Sequence, residues 1–504
     1  MDARLRALCD LMVATARESV GRHEYDGVVQ DLSPSGVAAA LSRLAPEGAH
    51  PYPDPHDEAH AAAAERTARV EFGELALHRR NPLYHIANLD LACYDRAYAP
   101  GPERARARAA HLAAWPDAVD GALAALDAVP APVAEATMSA ARGLGAQLTD
   151  ADGTAGAAAS AAHRRLLDHL RHAGRTGPRE TALGEAGLTA LLSAAEALPV
   201  RLGRLAELAD AERYRLRALL AEACRRIAPD ASVPETVAAL AADHPGLDGV
   251  LAEARALTDE VRAWTAAHEL VPYPDGECRV GPAPPARRWA MAMLAWAAPY
   301  EADAPSWYHV TPPEPGWPAA EQEQWLAVFS RASLPAITVH EVAPGHFAHA
   351  RALRRAPSAV RRTLIGEAFV EGWAHYAEEM ALQEGFRAGD PRFAAGVALE
   401  ALVRVVRLSA AIGLHTGAMD VAEAAALFRS EAYLQGPAAL AEAYRGTFDP
   451  TYGRYTWGKL AILELRERAR TAWGAGFSLP RLHAALLALG APPLGLLDTA
   501  IERG

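Results

Sequence analysis

Apolar residues spaced three or four positions apart run through almost every segment of this chain, while the alternation expected of strands is nearly missing. Leu183, Leu188, Leu191 and Leu192 form one such stripe, and Leu216, Leu219, Leu220 and Cys224 form another. On a helix this spacing lines side chains along one face, which must then be buried against a neighbour. The residues between are dominated by Ala, Leu, Arg and Glu, all strong helix formers. The longest β-branched run is Ile337-Thr338-Val339. The pattern predicts an all-α fold with at most a small β-hairpin.

Three proline-rich stretches, 46–55, 272–285 and 305–318, interrupt the helices. Proline ends helices and stiffens loops, and the last two stretches bracket one short helical pattern at 290–296. The expected organisation is two-lobed, with a helical scaffold over residues 1–265 and a catalytic lobe over 266–504. A chain of 504 residues buries a large core without disulfide or metal staples.

Charge removes several classes of function. Fifty basic and 62 acidic residues leave a net charge of −12 with no long basic run, so nucleic acid is not an expected partner. No stretch approaches the length of a membrane span, and Met1-Asp2-Ala3-Arg4-Leu5-Arg6 opens a charged amphipathic helix. The expected location is cytoplasmic, with no membrane partner. Cys9, Cys93, Cys224 and Cys278 have no paired spacing and read as free thiols. Lys459 is the only lysine among the 50 basic residues, which suggests a place where a compact ammonium serves and a guanidinium does not.

The sharpest signal is His340-Glu341-Val342-Ala343-Pro344-Gly345-His346. In the H-E-x-x-H pattern two imidazoles stand four residues apart on one helical face, and the glutamate between them serves as base to a zinc-activated water. Here the second histidine comes six residues on, which leaves the side chains of a regular helix about 120° apart. Pro344 removes an N–H and Gly345 permits unusual dihedrals, so a bulge there returns His346 to the face of His340. His349, three residues further, is an alternative or outer group.

About 25 residues later comes Glu371-Gly372-Trp373-Ala374-His375-Tyr376-Ala377-Glu378-Glu379. Glu371, His375 and Glu378 share one helical face. Trp373, Tyr376 and the preceding Phe369-Val370 indicate a buried setting, where a carboxylate needs a cation. Glu371 is the expected third ligand.

These motifs, with Asp449-Pro450-Thr451-Tyr452-Gly453-Arg454-Tyr455-Thr456-Trp457-Gly458-Lys459, resemble the bacterial family catalogued as domain of unknown function 885. The likeness is strongest from Tyr308 to the end, and Asn81-Pro82 and residues 90–100 are similar to weaker N-terminal blocks of that family. The family in turn is similar to helical H-E-x-x-H carboxypeptidases and oligopeptidases, and its members are commonly labelled metallopeptidases although their function is poorly established. The resemblance implies His340, His346 and Glu371 as zinc ligands and Glu341 as base. It says little about substrate.

Further candidates follow from the chemistry. Amide hydrolysis needs a donor to the developing oxyanion, and Tyr455 and His415 are suited to it. Lys459 lies one turn after Tyr455, so it is a candidate to bind a substrate carboxylate or to tune that phenol. Arg407, near Arg404, is a second carboxylate-binding candidate through its planar fork. His309, in the loop leading to the motif, is a candidate to line the cleft. His56-Asp57-Glu58-Ala59-His60 carries histidines at i and i+4, but it opens a helix after two prolines and reads as a solvated helix start. The expected activity is zinc-dependent hydrolysis of an amide bond in a peptide or small amide. The alternatives are a tailoring amidase or esterase for a small metabolite, and a non-catalytic helical binding protein with a vestigial site. Oligomeric state has no sequence signal.

Overall fold

The helical spacing is realised throughout: the computed structural model is 68% helical. It describes residues 1–504 except Glu47, His50, Pro285, Ala286, Trp289, Ala302, Asp303 and Pro315, and the side chain of Pro437. Parts of all three proline-rich stretches therefore lie outside the described residues.

Two 26-residue helices form the backbone of the assembly, α1 at Leu202–Ile227 and α2 at Pro391–Thr416. Their ends are written in the sequence. Asp390 caps α2 by accepting from the Arg392 N–H, Pro391 occupies its first turn, and Gly417 ends it at φ 76°. The stripe anticipated in α1 is buried at Leu216, Leu220 and Cys224, against Ala398, Leu402 and Val405 of α2.

A three-stranded sheet comprises β1 at Cys278–Pro282, β2 at Ala292–Ala295 and β3 at Ser306–Val310. The central strand β3 runs parallel to β1 and antiparallel to β2, so this is a mixed sheet rather than a hairpin. The short pattern at 290–296, expected as helix, is strand β2, because pairing with β3 overrides the weak propensity of Ala-Met-Leu-Ala. Ile337-Thr338-Val339 shows the reverse and is helical, within α3 at Ser333–Glu341. The sheet packs on α3, with Val280, Tyr308 and Val310 in one core with Leu334, Ile337 and Val339.

The division expected near residue 265 is not where the cores divide. Residue 265 lies in the last turn of a helix, Leu247–Ala267, whose Val250, Leu257 and Val261 share the core of α3 and the sheet. Residues 188–240 likewise share cores with α2 and with the helices that follow α3. The N-terminal core around Leu112, Trp115, Leu166 and Leu170 draws its buried residues from 86–170.

Candidate metal centre

Every residue from Ala332 to Leu353 is buried, which is why this stretch shows no amphipathic stripe. Helix α3 ends at Glu341, and α4, His346–Leu353, begins at the second histidine. The two extra residues are absorbed by a break between helices rather than by a bulge within one. Gly345 makes the reversal possible: its N–H donates to the Val339 carbonyl at 3.2 Å. A Cβ there would lie 2.0 Å from the His340 oxygen, so no other residue fits. The imidazoles of His340 and His346 meet edge to face, with centroids 4.6 Å apart.

The second motif lies on α5, Glu367–Gln383, and is tied to the first directly. The Trp373 indole N–H donates to the Pro344 carbonyl at 2.8 Å, holding the Pro-Gly turn in place. Helix α5 crosses α6, Arg454–Trp473, where Gly372 faces Gly458. A Cβ on Gly372 would sit 2.5 Å from the Gly458 backbone, so the helices touch main chain to main chain. This crossing accounts for the glycines in both motifs and sets Glu371 opposite the two histidines.

Glu371 Oε2 lies 3.5 Å from His340 Nε2 and 3.4 Å from His346 Nε2. The three residues offer ligand atoms that all lie within 4.8 Å of one another. A tetrahedral ion with bonds of about 2.1 Å has ligand–ligand edges of about 3.4 Å, so the two measured spacings fit such an ion. Two imidazoles and one carboxylate are also a donor set that catalytic zinc sites use.

The surroundings complete the pattern. His340 Nδ1 donates to Glu378 Oε1 at 2.6 Å, which leaves Nε2 free for the ligand position. Arg404 holds the other oxygen of Glu378 at 3.2 Å. Burial and Arg404 oppose charge on His340, yet Glu371 and Glu378 outweigh them and lift it to about 9. Burial works against the charge on Glu371, but the two histidines hold it well below the usual carboxylate range. Glu341 is different: burial pushes its carboxyl up, and its Oε2 has no hydrogen-bond partner. The orienting roles of Glu378 and Arg404 were not anticipated. The only available signal was that Glu378 shares a helical face with Glu371.

Of the other expected site residues, only Tyr455 comes to the centre. Its ring stacks on His340 at 6.5 Å between centroids and 24° between planes, and its hydroxyl accepts from Arg445 at 3.4 Å. Arg404, Arg407 and Arg454 also lie over this ring.

The remaining assignments are corrected by their partners. Arg407 is committed to Glu442 through a fork of 2.7 and 2.9 Å, so it is not free for a substrate carboxylate. Lys459 is fully buried and donates to Glu212 and, at 3.0 Å, to Glu379; it has no ammonium to offer a ligand. His415 lies eleven residues beyond Arg404 on α2, about 16 Å along the axis. It pairs with the Gly446 carbonyl at 2.8 Å, and burial lowers it to about 4, so it is a core histidine and not an oxyanion donor. His309 stacks on Trp307 on one face of β3, while the adjacent Tyr308 joins the core of α3, so His309 points away from the motif. His349 pairs with the Gly490 carbonyl, and His375 lies 3.6 Å from Glu378; neither is in the triad. The 56–60 segment starts a helix as expected, but His56, Asp57 and His60 are buried rather than solvated, with Asp57 held by Arg361 at 2.7 Å.

Comparison with known proteins follows the same lines. The model of a family described as bacterial protein of unknown function, DUF885, matches residues 15–501. No curated protein matches the chain. A "putative lipoprotein" of unknown function from Shewanella oneidensis has a similar solved structure, with 19% identity, a TM-score of 0.75, and 98% of this chain and 97% of that one covered. A second, from Colwellia psychrerythraea and described as a "putative lipoprotein", is 16% identical with a TM-score of 0.79, covering 99% of this chain and 97% of its own. These likenesses establish the fold. The cytoplasmic expectation is corrected by the same comparison: both similar structures are of proteins described as a "putative lipoprotein", and a charged first helix does not decide location. Among the described residues no helix is long and apolar enough to cross a membrane.

Proposed function

This chain belongs to the DUF885 family, and we propose that it is a zinc-dependent hydrolase that cleaves an amide bond in a peptide or small amide. The observation that carries this reading is the triad with tetrahedral-edge spacing beside Glu341, a buried carboxylate with an unpartnered oxygen. Zinc would be held by His340, His346 and Glu371, and when bound it supplies the Lewis acidity that activates water and polarises a carbonyl.

The protein's own groups divide the remaining work. Glu341 takes a proton from the attacking water at its free Oε2 and passes it to the departing nitrogen; its raised pKa suits both halves of that exchange. Glu378 fixes the tautomer of His340 through Nδ1 and is itself fixed by Arg404. Tyr455, whose ring stacks on His340, is the group we assign to donate its hydroxyl to the negative charge that develops on the carbonyl oxygen.

Elemental analysis of untagged protein tests the metal, with about one zinc per chain expected. Glu341→Gln should keep that zinc and lose 10²-fold or more in turnover, because an amide cannot accept the proton. His340→Ala and Glu371→Ala should lose the metal itself. No transition metal in the wild type, or equal metal loss in all three variants, would end this reading.

A further inference from the structure

Four guanidiniums surround Tyr455 and Tyr452 beside the triad, and one of them is uncommitted. Arg404 bonds Glu378 at 3.2 Å, Arg407 forks onto Glu442 at 2.7 and 2.9 Å, and Arg454 forks onto Asp449 at 2.7 and 3.0 Å. Arg445, near the end of the helix Gly436–Phe448, is the exception. Both of its polar contacts fall on one nitrogen. Nη2 lies 3.4 Å from the Tyr455 hydroxyl and 3.6 Å from Asp449 Oδ2, a carboxylate that Arg454 already holds. Among the described residues, Nη1 and Nε of Arg445 make no hydrogen bond.

This head is nonetheless held in place. It lies over the ring of Tyr452 at 4.6 Å, and Tyr452 is fully buried with its hydroxyl on Glu442. A planar cation stacked on a fixed ring keeps its orientation while its N–H edge stays open to a planar anion. The side chain is 28% exposed, so the open edge meets solvent rather than core. Tyr455 ties this cation to the metal centre, because its ring stacks on His340 and its hydroxyl meets Arg445.

We infer that Arg445 binds the free α-carboxylate of the residue that follows the scissile amide, so that the substrate is cleaved at its carboxyl end. This rests on the hydrolase reading above and narrows it to release of a C-terminal residue. The part expected of Arg407 passes to the neighbour that no carboxylate of the protein occupies. A carboxylate one residue beyond the scissile carbonyl stands about 3.8 Å further along, and a charge-assisted hydrogen bond of about 2.8 Å completes the reach to a guanidinium. Tyr455 spans an interval of this order between His340 and Arg445. One free cation matches one carboxylate, whereas a doubly charged group would also face Asp449 and Glu442. A blocked C-terminus would cover Arg445 without giving it an anion, which disfavours internal peptide bonds.

The test is binding, so it does not depend on finding the natural substrate. Zinc-loaded full-length protein is titrated calorimetrically near pH 7, where carboxylates are ionised, with three hydroxamates. Succinic acid monohydroxamate places its carboxylate where that of a C-terminal residue would stand, and its carboxamide is the neutral counterpart. Glutaric acid monohydroxamate sets the carboxylate one carbon further out, as an acidic side chain would. The wild type should bind the succinic acid compound about tenfold or more tighter than its carboxamide, and tighter than the glutaric one. Arg445→Gln should bring the acid-to-amide ratio to about one at wild-type zinc content. A ratio near one in the wild type, a ratio that survives in Arg445→Gln, tighter binding of the glutaric compound, or no binding of any of the three would overturn the inference. A protein that takes up no zinc fails the hydrolase reading, and this inference with it, at the metal analysis. A zinc-loaded protein indifferent to the carboxylate fails this inference alone.

Discussion

Helix α5 carries two clusters of buried charge about 12 Å apart, and they are built to opposite rules. Around Glu379 the charges close on themselves. Lys459 bonds Glu212 and Glu379, and Arg215 bonds the same two carboxylates at 2.7–2.8 Å, so two cations meet two anions. Around Glu371 they do not close: Glu341, Glu371 and Glu378 face Arg404 and two imidazoles, and the balance is negative. Burying ionised groups is tolerable when each finds a partner, so the closed cluster needs nothing more. The open one is short of positive charge, which a divalent ion held at the triad would supply. A complete network marks structure and an incomplete one marks a site.

The largest effect should come from opening the closed cluster. Lys459→Ala removes one of the two cations that neutralise Glu212 and Glu379, leaves Arg215 alone with both carboxylates, and should cost about 3–5 kcal/mol in urea unfolding. A loss under about 1 kcal/mol would show that the network is dispensable. Lys459→Arg should also destabilise, since the larger planar head does not fit between Glu212 and Glu379, but zinc content should stay at the wild-type level. Weaker zinc binding in that arginine variant would mean that the two clusters are coupled.

Loosening the open cluster comes next. Glu378→Gln removes the carboxylate that orients His340 and should weaken zinc affinity about 10–100-fold in competition with a chelator. Unchanged affinity would remove Glu378 from the metal's support.

Acid separates the groups by sign. Burial lowers His349 and His415 to about 4, so their neutral forms stabilise the fold above the ordinary histidine pKa of about 6.5, and that contribution is lost as pH falls towards 4. Glu212 reaches about 2, because Arg215 and Lys459 outweigh the burial that opposes its charge. Its contribution is present above the usual glutamate value and goes only as pH falls from there towards 2. Stability measured against pH should therefore decline in two stages, histidines first. A flat profile from pH 7 to 4 would contradict the buried neutral histidines.

The smallest effect belongs to His415, which lies in neither cluster. His415→Asn should leave kcat/KM within about twofold and cost about 1–3 kcal/mol for the lost core hydrogen bond. A large loss of activity without loss of stability would reinstate it at the site.

The sequence shows the candidate metal ligands better than it shows their support, and the reason is range. His340, Glu341 and His346 announce themselves because their spacing is local, and Glu371 because aromatic neighbours surround it. Glu378 is silent, since a carboxylate one turn along a helix looks the same whether it meets water or an imidazole. Lys459 stood out by composition, but its partner Glu212 is 247 residues away, so no local pattern could tell a structural ammonium from a substrate-binding one. Strand β2 was illegible for a related reason: nothing in Ala-Met-Leu-Ala favours a strand until β3 is beside it. The all-α class was readable because helical spacing repeats within a few residues of itself.

The meeting of Gly372 with Gly458 has a consequence for how this protein tolerates change. Most helix pairs keep their distance through side chains, which drift by a methyl group here and there as a lineage diverges. Here the gauge is the main chain itself, one residue from a ligand, and it has no finer setting. A mutation at either glycine would not be buffered by repacking; it would push Glu371 away from His340 and His346 by the width of the added atom. The crossing therefore acts as a ruler, and two glycines in register on α5 and α6 are what a designer would have to copy before copying the ligands.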